Sequence, residues 1–284
     1  MRQVMTEFDE IVVGKSSIPS LIIAVVLTAA ITVIFFIYWS QKHKHHTKIS
    51  WLIAGAAGFI VSALVLEQGV HYFCVISDNP VSRFINGNTA VYVLYGIIVA
   101  GVFEECGRFL ILKYVMKRNR TLDNAVLYGI GHGGAEILAV VLPSLIIYLA
   151  VAVMFSGGNA ENALHALNIT EETAAAALPS VRAAAAFDLG TMAMNFIERL
   201  SALLLQIGLT VIIYYGVKNA RRFCLPMAIL LHMLMDLFPA LYQRGLVPLW
   251  AVEVWAAVLS AVAVFIAVKL YAKMKELSQT DRAL

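Results

Sequence analysis

Seven long apolar runs, separated by shorter polar segments, dominate the pattern of hydrophobic and polar positions along the chain. Each run has the length of about 20 residues that an α-helix needs to cross a bilayer. The runs lack the alternation of strands, and backbone groups in lipid must be hydrogen-bonded within their own segment, so we predict helices. They cover residues 18–39, 49–73, 89–115, 122–155, 189–215, 223–241 and 247–271. The pattern predicts an all-α, polytopic membrane helix bundle, with residues 1–284 as a single integral membrane domain.

The segments between the runs predict turns and one longer polar loop. Residues 77–88 are rich in Ser, Asn, Pro and Gly, which is turn chemistry, so we expect this segment outside the bilayer. Residues 156–187 predict an extracytoplasmic loop with a short surface helix that comprises residues 168–172 and the following alanines and ends near Pro179. A kink is predicted at Pro143, inside the fourth membrane helix.

Basic residues cluster in every second connecting segment, whereas the alternate segments carry them singly. Because cytoplasmic loops hold the excess of Lys and Arg, we predict an extracytoplasmic N-terminus and a cytoplasmic C-terminus. The clustered residues are Lys42, Lys44, Lys48, Lys117, Arg118, Arg120, Lys218, Arg221, Arg222, Lys269, Lys273 and Lys275. The expected location is the bacterial plasma membrane, with the lipid bilayer as a constant partner.

Composition supports the membrane assignment and excludes two other classes of protein. Of the 284 residues, 61% are hydrophobic and only 14% are charged, which is too apolar for a soluble domain. The net charge is +3 and the basic residues follow membrane topology, so no nucleic-acid partner is expected. The three cysteines lie at different predicted depths without a Cys-x-x-Cys pair, so neither a disulfide nor a cysteine zinc site is predicted.

The third apolar run contains an unusually costly polar stretch. Glu104 and Glu105 are adjacent carboxylates, and Arg108 follows one helical turn after Glu105. Ionisable side chains inside the hydrocarbon usually face a protein-lined cavity and mark a functional site. The alternative is a structural ion pair between Glu105 and Arg108, which share one helix face.

Two histidines on other predicted helices match the depth of Glu104. Counted from the nearest basic cluster, Glu104, His132 and His232 each lie about 10 to 13 residues into their helices. At 1.5 Å per residue, all three are roughly 15–20 Å from the cytoplasmic ends. Glu136 follows His132 and Asp236 follows His232 by one helical turn, so each pair shares a face. We predict that these side chains converge in the core of the bundle, where sites are built from facing helices.

The same residues also permit structural interpretations. A histidine in a membrane helix often serves as an interhelical hydrogen bonder, with Glu136 holding His132 and Asp236 holding His232. Glycines 129, 131, 133 and 134 predict either close helix packing or room for a substrate backbone. The pair Glu198–Arg199 lies nearer the other membrane face and is interpreted as a structural or gating pair.

The order and spacing of the polar motifs resemble a known group of membrane proteins, the CAAX-protease-and-bacteriocin-processing (CPBP) superfamily and its PrsW relatives. The motifs that carry this resemblance are Glu104-Glu105-x-x-Arg108, Tyr128-x-x-x-His132 and His232-x-x-x-Asp236. The glycine-rich stretch that surrounds His132 most resembles the YhfC family of intramembrane proteases. The resemblance covers most of the chain, from the third to the sixth predicted membrane helix.

The resemblance implies an intramembrane endopeptidase that hydrolyses peptide bonds of a membrane-associated peptide or protein. It implies that Glu104 and His132 activate water, and that His232 and Asp236 stabilise the oxyanion. Glu105 is the alternative base, because the arginine of the usual motif lies one residue further along. Asp236 replaces the usual asparagine and donates a hydrogen bond only when protonated, so orienting His232 is its alternative role.

Arg108 and Glu136 are the expected supporting residues of this site. Peptide hydrolysis needs a base for water and donors at the developing oxyanion, and this set supplies both without a cofactor. A metal-dependent version stays open, in which Glu104, His132, Glu136 and His232 ligate zinc with one free position.

Two other classes of function also stay open. A proton- or ion-coupled transporter would use the same carboxylates and histidines as a relay, although the chain shows no repeated halves with paired broken helices. A non-enzymatic membrane sensor would use them for packing alone.

Overall fold

The computed structural model describes residues 2–117 and 120–283, so Arg118 of the second basic cluster lies outside the described residues. Within these ranges the chain forms helices and no strands. We number the helices in chain order, counting continuous π-helical segments with the helix that contains them. They are α1 Arg2–Asp9, α2 Ser17–Lys42, α3 Ile49–Ile76, α4 Pro80–Gly87, α5 Thr89–Val115, α6 Leu122–Ser156, α7 Ala160–Ala166, α8 Glu171–Ala185, α9 Leu189–Lys218, α10 Cys224–Gln243 and α11 Leu249–Ala283.

Seven of these helices are long and apolar enough to cross a membrane, which confirms the predicted all-α membrane bundle. Six of the seven agree with the predicted spans to within three residues at each end, and α11 continues beyond its predicted end. Long uninterrupted apolar runs are the strongest signal that a sequence offers, which explains this agreement. The placement of the two termini relative to the membrane stays a prediction.

The segments between the spans contain more helix than the sequence predicted. The predicted turn at residues 77–88 contains α4, which Asn79 caps through its side chain and a reciprocal contact with Ser82. The prediction that the surface helix ends near Pro179 is wrong, because α8 continues to Ala185. A proline removes a single backbone donor, and the residue four positions earlier, Ala175, is exposed, so its carbonyl can be solvated.

Four segments of the membrane-crossing helices are π-helical, namely Ile60–Glu67, Tyr72–Ile76, Ile111–Val115 and Ile137–Val141. The last of these lies immediately before Pro143, where the sequence predicted a kink. An extra residue per turn locally shifts the register of the side chains and is frequent at functional sites.

The chain folds into two compact units. The first comprises the residues up to Ile31 together with Ile137–Ile197. Its core contains Phe8 of α1 and Phe155 of α6, whose ring centroids are 6.2 Å apart. At the start of α9, Asp188 accepts hydrogen bonds from the backbone and hydroxyl of Thr191, which lowers the pKa of this exposed carboxyl.

The second unit comprises Thr32–Glu136 and the residues from Glu198 onward, and it contains all the candidate site residues. Its central element is α9, whose most apolar window is 72% buried, compared with 22–39% for the other spans. Fully buried side chains such as Trp51, Tyr128 and Leu209 form the surrounding core. Gln206 and Thr210, in the buried part of α9, therefore lie inside protein and not against lipid.

Glycines let α6 approach two of its neighbours closely within this unit. A side chain at Gly131 would collide with the backbone of Leu52 on α3, and one at Gly133 would crowd Gln206 on α9. The glycines around His132 therefore serve close helix packing, which was one of the two predicted roles. This packing fixes the position of His132 between α3 and α9.

Candidate functional site

The Glu104 carboxylate joins three helices of the second unit. Its Oε2 atom lies 2.9 Å from Nε2 of His132, so α5 contacts α6 through a direct hydrogen bond. Its Oε1 atom lies 3.9 Å from Nε2 of His232, which comes from α10. All three residues are at least nine-tenths buried. The structure thus brings together the three residues that the sequence placed at one depth.

Glu105, the next residue of the same helix, also contacts His232, but at the other ring nitrogen. Its Oε1 atom lies 2.7 Å from Nδ1 of His232 and 3.3 Å from Nη2 of Arg108, and the Glu105 and Arg108 side chains are fully buried. The predicted Glu105–Arg108 ion pair is therefore present. Glu105 fixes the orientation of the His232 ring and leaves Nε2 of that ring directed toward Glu104 and Asp236.

Gln206 of α9 connects the charged groups of the site, and the sequence analysis missed it. Arg108 donates to the Gln206 backbone carbonyl at 2.9 Å and to its side-chain oxygen. The Gln206 amide nitrogen donates to Glu104 at 3.3 Å and to Glu136 at 3.0 Å. A lone glutamine inside an apolar run was the available signal, because its amide must find partners away from lipid.

Asp236 and Glu136 complete the polar layer in different ways. We use this name for the set Glu104, Glu105, Arg108, His132, Glu136, Gln206, His232 and Asp236. Asp236 Oδ2 lies 3.5 Å from Nε2 of His232, one helical turn away on α10, so the predicted contact between them is present. Glu136 accepts from Gln206, and the structure shows no contact between Glu136 and His132 among the described residues. The structural interpretation in which Glu136 holds His132 therefore lacks support.

The ring of His132 lies between aromatic neighbours. It stacks on Tyr128 at a centroid distance of 6.1 Å and meets Phe59 edge-on at 5.4 Å. Its Nδ1 atom finds no hydrogen-bond partner in the part of the chain that the structure describes. Aromatic packing thus orients this ring, and Nε2 is the nitrogen that it presents to Glu104.

The donor chemistry of the layer fits a zinc ion. Two imidazole Nε2 atoms, from His132 and His232, approach one carboxylate, and nitrogen with carboxylate oxygen is a ligand set that zinc accepts. The second nitrogen of His232 is held by Glu105, and such a carboxylate partner typically orients a metal-bound histidine. Among the described residues, however, no group of three or more His, Cys, Asp or Glu side chains is spaced around a common point for a metal ion.

Two comparisons with known proteins find similar sequences. A family model described as YhfC intramembrane metalloprotease matches residues 27–258, a range that includes every residue of the polar layer. The chain is 34% identical over 229 residues to the "Uncharacterized membrane protein YhfC" of Bacillus subtilis (strain 168), covering 80% of this chain and 87% of that protein. No solved structure matches the chain. The resemblance to the CPBP superfamily stays a prediction.

Proposed function

The chain belongs to the YhfC intramembrane metalloprotease family, and on that premise we propose that it is an intramembrane endopeptidase acting on a membrane-associated peptide or protein. The observation that supports this proposal most is the convergence of Glu104, His132 and His232 from three helices in one buried layer. A carboxylate flanked by two imidazoles supplies both a base for water and donors for an oxyanion.

Glu104 is the base in this proposal. One Oε1 atom of Glu105 already serves both Arg108 and His232, which fixes that carboxylate in a structural role. Glu104 instead contacts two histidines and the neutral amide of Gln206, so its charge is available to the reacting water. Glu104 removes a proton from water as the oxygen attacks the carbonyl carbon, and it later delivers that proton to the leaving nitrogen.

His132 and His232 orient and stabilise the reacting groups. His132 Nε2 positions the Glu104 carboxylate through their 2.9 Å hydrogen bond. His232 donates Nδ1–H to Glu105 and presents Nε2 to the layer, so in its doubly protonated form it can donate to the carbonyl oxygen of the tetrahedral intermediate. Asp236, 3.5 Å from that Nε2, supports the ring in the same orientation.

The metal-dependent version of the same reaction is supported by the family description and by the Glu105–His232 contact. His132 Nε2, His232 Nε2 and Glu104 would hold the ion, with Asp236 or Glu136 as the next carboxylate. A bound zinc ion polarises a carbonyl and makes water a better nucleophile at neutral pH. Glu105 then keeps its structural role, because it orients His232 in either version.

Cleavage of a membrane peptide by purified protein in vesicles tests the proposed activity. Glu104→Gln, His132→Ala and His232→Ala should each abolish cleavage while insertion and thermal unfolding show a folded protein. Their effects should be non-additive, because residues that act as a unit lose most activity at the first substitution. Proton flux is measured in the same vesicles as the contrasting readout. Proton flux through the wild-type protein without peptide cleavage would mean that the protein is a transporter and not a peptidase.

The metal question has a separate test. Elemental analysis of the purified wild type is compared with His132→Ala and with Leu138→Ala, an exposed control on the same helix. Stoichiometric zinc that is lost in His132→Ala alone, together with chelator-sensitive cleavage, assigns the metal-dependent version. Full cleavage by metal-free protein assigns the version in which Glu104 acts without an ion.

A further inference from the structure

A second set of polar side chains lies between α3 and α5, outside the layer described above. His71 of α3 bridges Glu67 and Tyr95: its Nε2 lies 3.1 Å from Glu67 Oε1, and its Nδ1 lies 2.8 Å from the Tyr95 hydroxyl. Cys74, nearer the end of α3, lies close enough to Tyr95 to interact with it electrostatically. Three of these four residues belong to α3, and all of them lie inside the membrane-crossing helices α3 and α5.

The register of the two helices shows where this set leads. Ser62 of α3 packs against Gly107 of α5, and His71 contacts Tyr95 twelve residues nearer the start of α5. Glu67 falls between these two contacts along α3. It therefore lies opposite the part of α5 that follows Tyr95 and ends one helical turn before Glu104. At 1.5 Å per residue, Glu67 lies about 14 Å from the end of α3 at Ile76, and His71 about 8 Å. The set therefore runs from the helix end toward the polar layer.

Glu67 is the member nearest the layer, and its hydrogen bonding is incomplete. The residue is 8% exposed, and its Oε2 atom has no hydrogen-bond partner within the described part of the chain. It is close enough to interact electrostatically with both Glu104 and Asp236. A buried carboxylate oxygen without a partner is costly, and water is the usual group that satisfies it. Glu67 ends the π-helical segment Ile60–Glu67, the kind of irregularity that is frequent at functional sites.

We propose that Glu67, His71 and Tyr95 line the path by which water reaches the Glu104 layer from the membrane face that bears residues 77–88. The inference rests on the proposed hydrolysis, because each peptide bond that is cleaved consumes one water molecule. Water does not enter hydrocarbon at useful concentration, so a site enclosed by apolar helices needs polar groups along its approach. The unpaired oxygen of Glu67 supplies the last acceptor before Glu104 and Asp236.

Reactivity of single cysteines tests the path without any activity assay. In a background with Cys74→Ser, Cys106→Ala and Cys224→Ala, cysteine is placed at residue 67, 71 or 95 in full-length protein in nanodiscs. The matched controls are Leu66→Cys and Ile98→Cys, which neighbour the path in sequence but are 51% and 44% exposed on the helix surface. A small cationic methanethiosulfonate should modify the path residues at least about tenfold faster, because the thiolate forms only in contact with water.

Equal reactivity of path and control cysteines would overturn the water path. The rate for the same thiols is also measured after denaturation, so a misfolded variant is recognised by a rate that denaturation does not change. The conservative variant Tyr95→Phe adds a kinetic test. Because it removes the Tyr95 hydroxyl from the path, it should lower kcat at saturating peptide and leave KM unchanged. Wild-type protein that cleaves no peptide while its path residues react would refute the proposed hydrolysis and leave the water path standing.

Discussion

Two glutamate–arginine pairs lie inside membrane-crossing helices, and they differ in their spacing along the chain. In α5, Glu105 and Arg108 are three residues apart, and both side chains are fully buried. In α9, Glu198 and Arg199 are adjacent in sequence, and 26% and 12% of their side-chain surfaces are exposed. Both pairs look equally unusual in an apolar run, but only the first is built into the network of the candidate site.

Spacing explains the difference between the two pairs. Residues three apart share a helix face, so Arg108 reaches Glu105 and still directs its other donors at Gln206 and Thr210. Adjacent residues point away from each other, so Arg199 folds back to reach Glu198. The α5 pair therefore contacts His232, whereas the α9 pair contacts no histidine among the described residues.

The largest effect on stability is expected at the α5 pair. Arg108→Gln leaves the buried Glu105 carboxylate without its counter-charge, and breaking a buried pair in this way costs about 3–5 kcal/mol. We expect a large loss of thermal stability in detergent and loss of peptide cleavage with it. The double variant Glu105→Gln/Arg108→Gln removes both charges and should recover part of the stability. Equal stability of Arg108→Gln and wild type would show that the pair is not structural.

A smaller effect is expected where the two regions are linked. Gln206 donates to Glu104 and Glu136, and Glu136 interacts electrostatically with Arg199. Gln206→Leu removes these donors and should lower kcat about 10–100-fold, as is typical for partners that orient a reacting or ligating group.

Thr210→Val is the matched control for Gln206→Leu. Thr210 accepts a hydrogen bond from Arg108 at 3.2 Å, as Gln206 does, but it donates to its own helix backbone and not to a carboxylate. The Thr210→Val variant should therefore cleave peptide at close to the wild-type rate. Similar losses in both variants would mean that Gln206 acts through Arg108 and not through Glu104.

Residues of the polar layer could be predicted because the sequence indicates how deep each residue lies in its membrane helix. Basic clusters mark where each helix begins, and rise per residue then places Glu104, His132 and His232 at one level. The rotation of each helix about its axis was not readable, because it depends on packing. Gly131 and Gly133, which let α6 lie close to α3 and α9, set this rotation only in the folded protein.

Sequence reasoning missed Gln206, Glu67, His71 and Tyr95. Gln206 is neutral and lies in an apolar run, so no charge drew attention to it. Glu67 and His71 are four residues apart on one helix face, a spacing that is visible in the sequence. Their link to Tyr95 on α5 depends on the register between two helices, which a single sequence does not specify.

The smallest effect is expected at the α9 pair, and it is the sharpest test of the comparison. Glu198→Gln replaces a carboxylate whose side chain is 26% exposed by a neutral amide that can still accept a hydrogen bond from Arg199, so the expected cost is smaller than at the fully buried α5 pair. Arg199 retains its electrostatic interactions with Glu136 and Glu253, so the groups near the layer keep their counter-charge. We therefore expect cleavage within about twofold of wild type, which corresponds to less than about 0.5 kcal/mol in the barrier, when kcat/KM is measured beside Glu104→Gln. Loss of cleavage in Glu198→Gln comparable to that in Glu104→Gln would merge the two regions into one site and assign the α9 pair a direct role in the reaction.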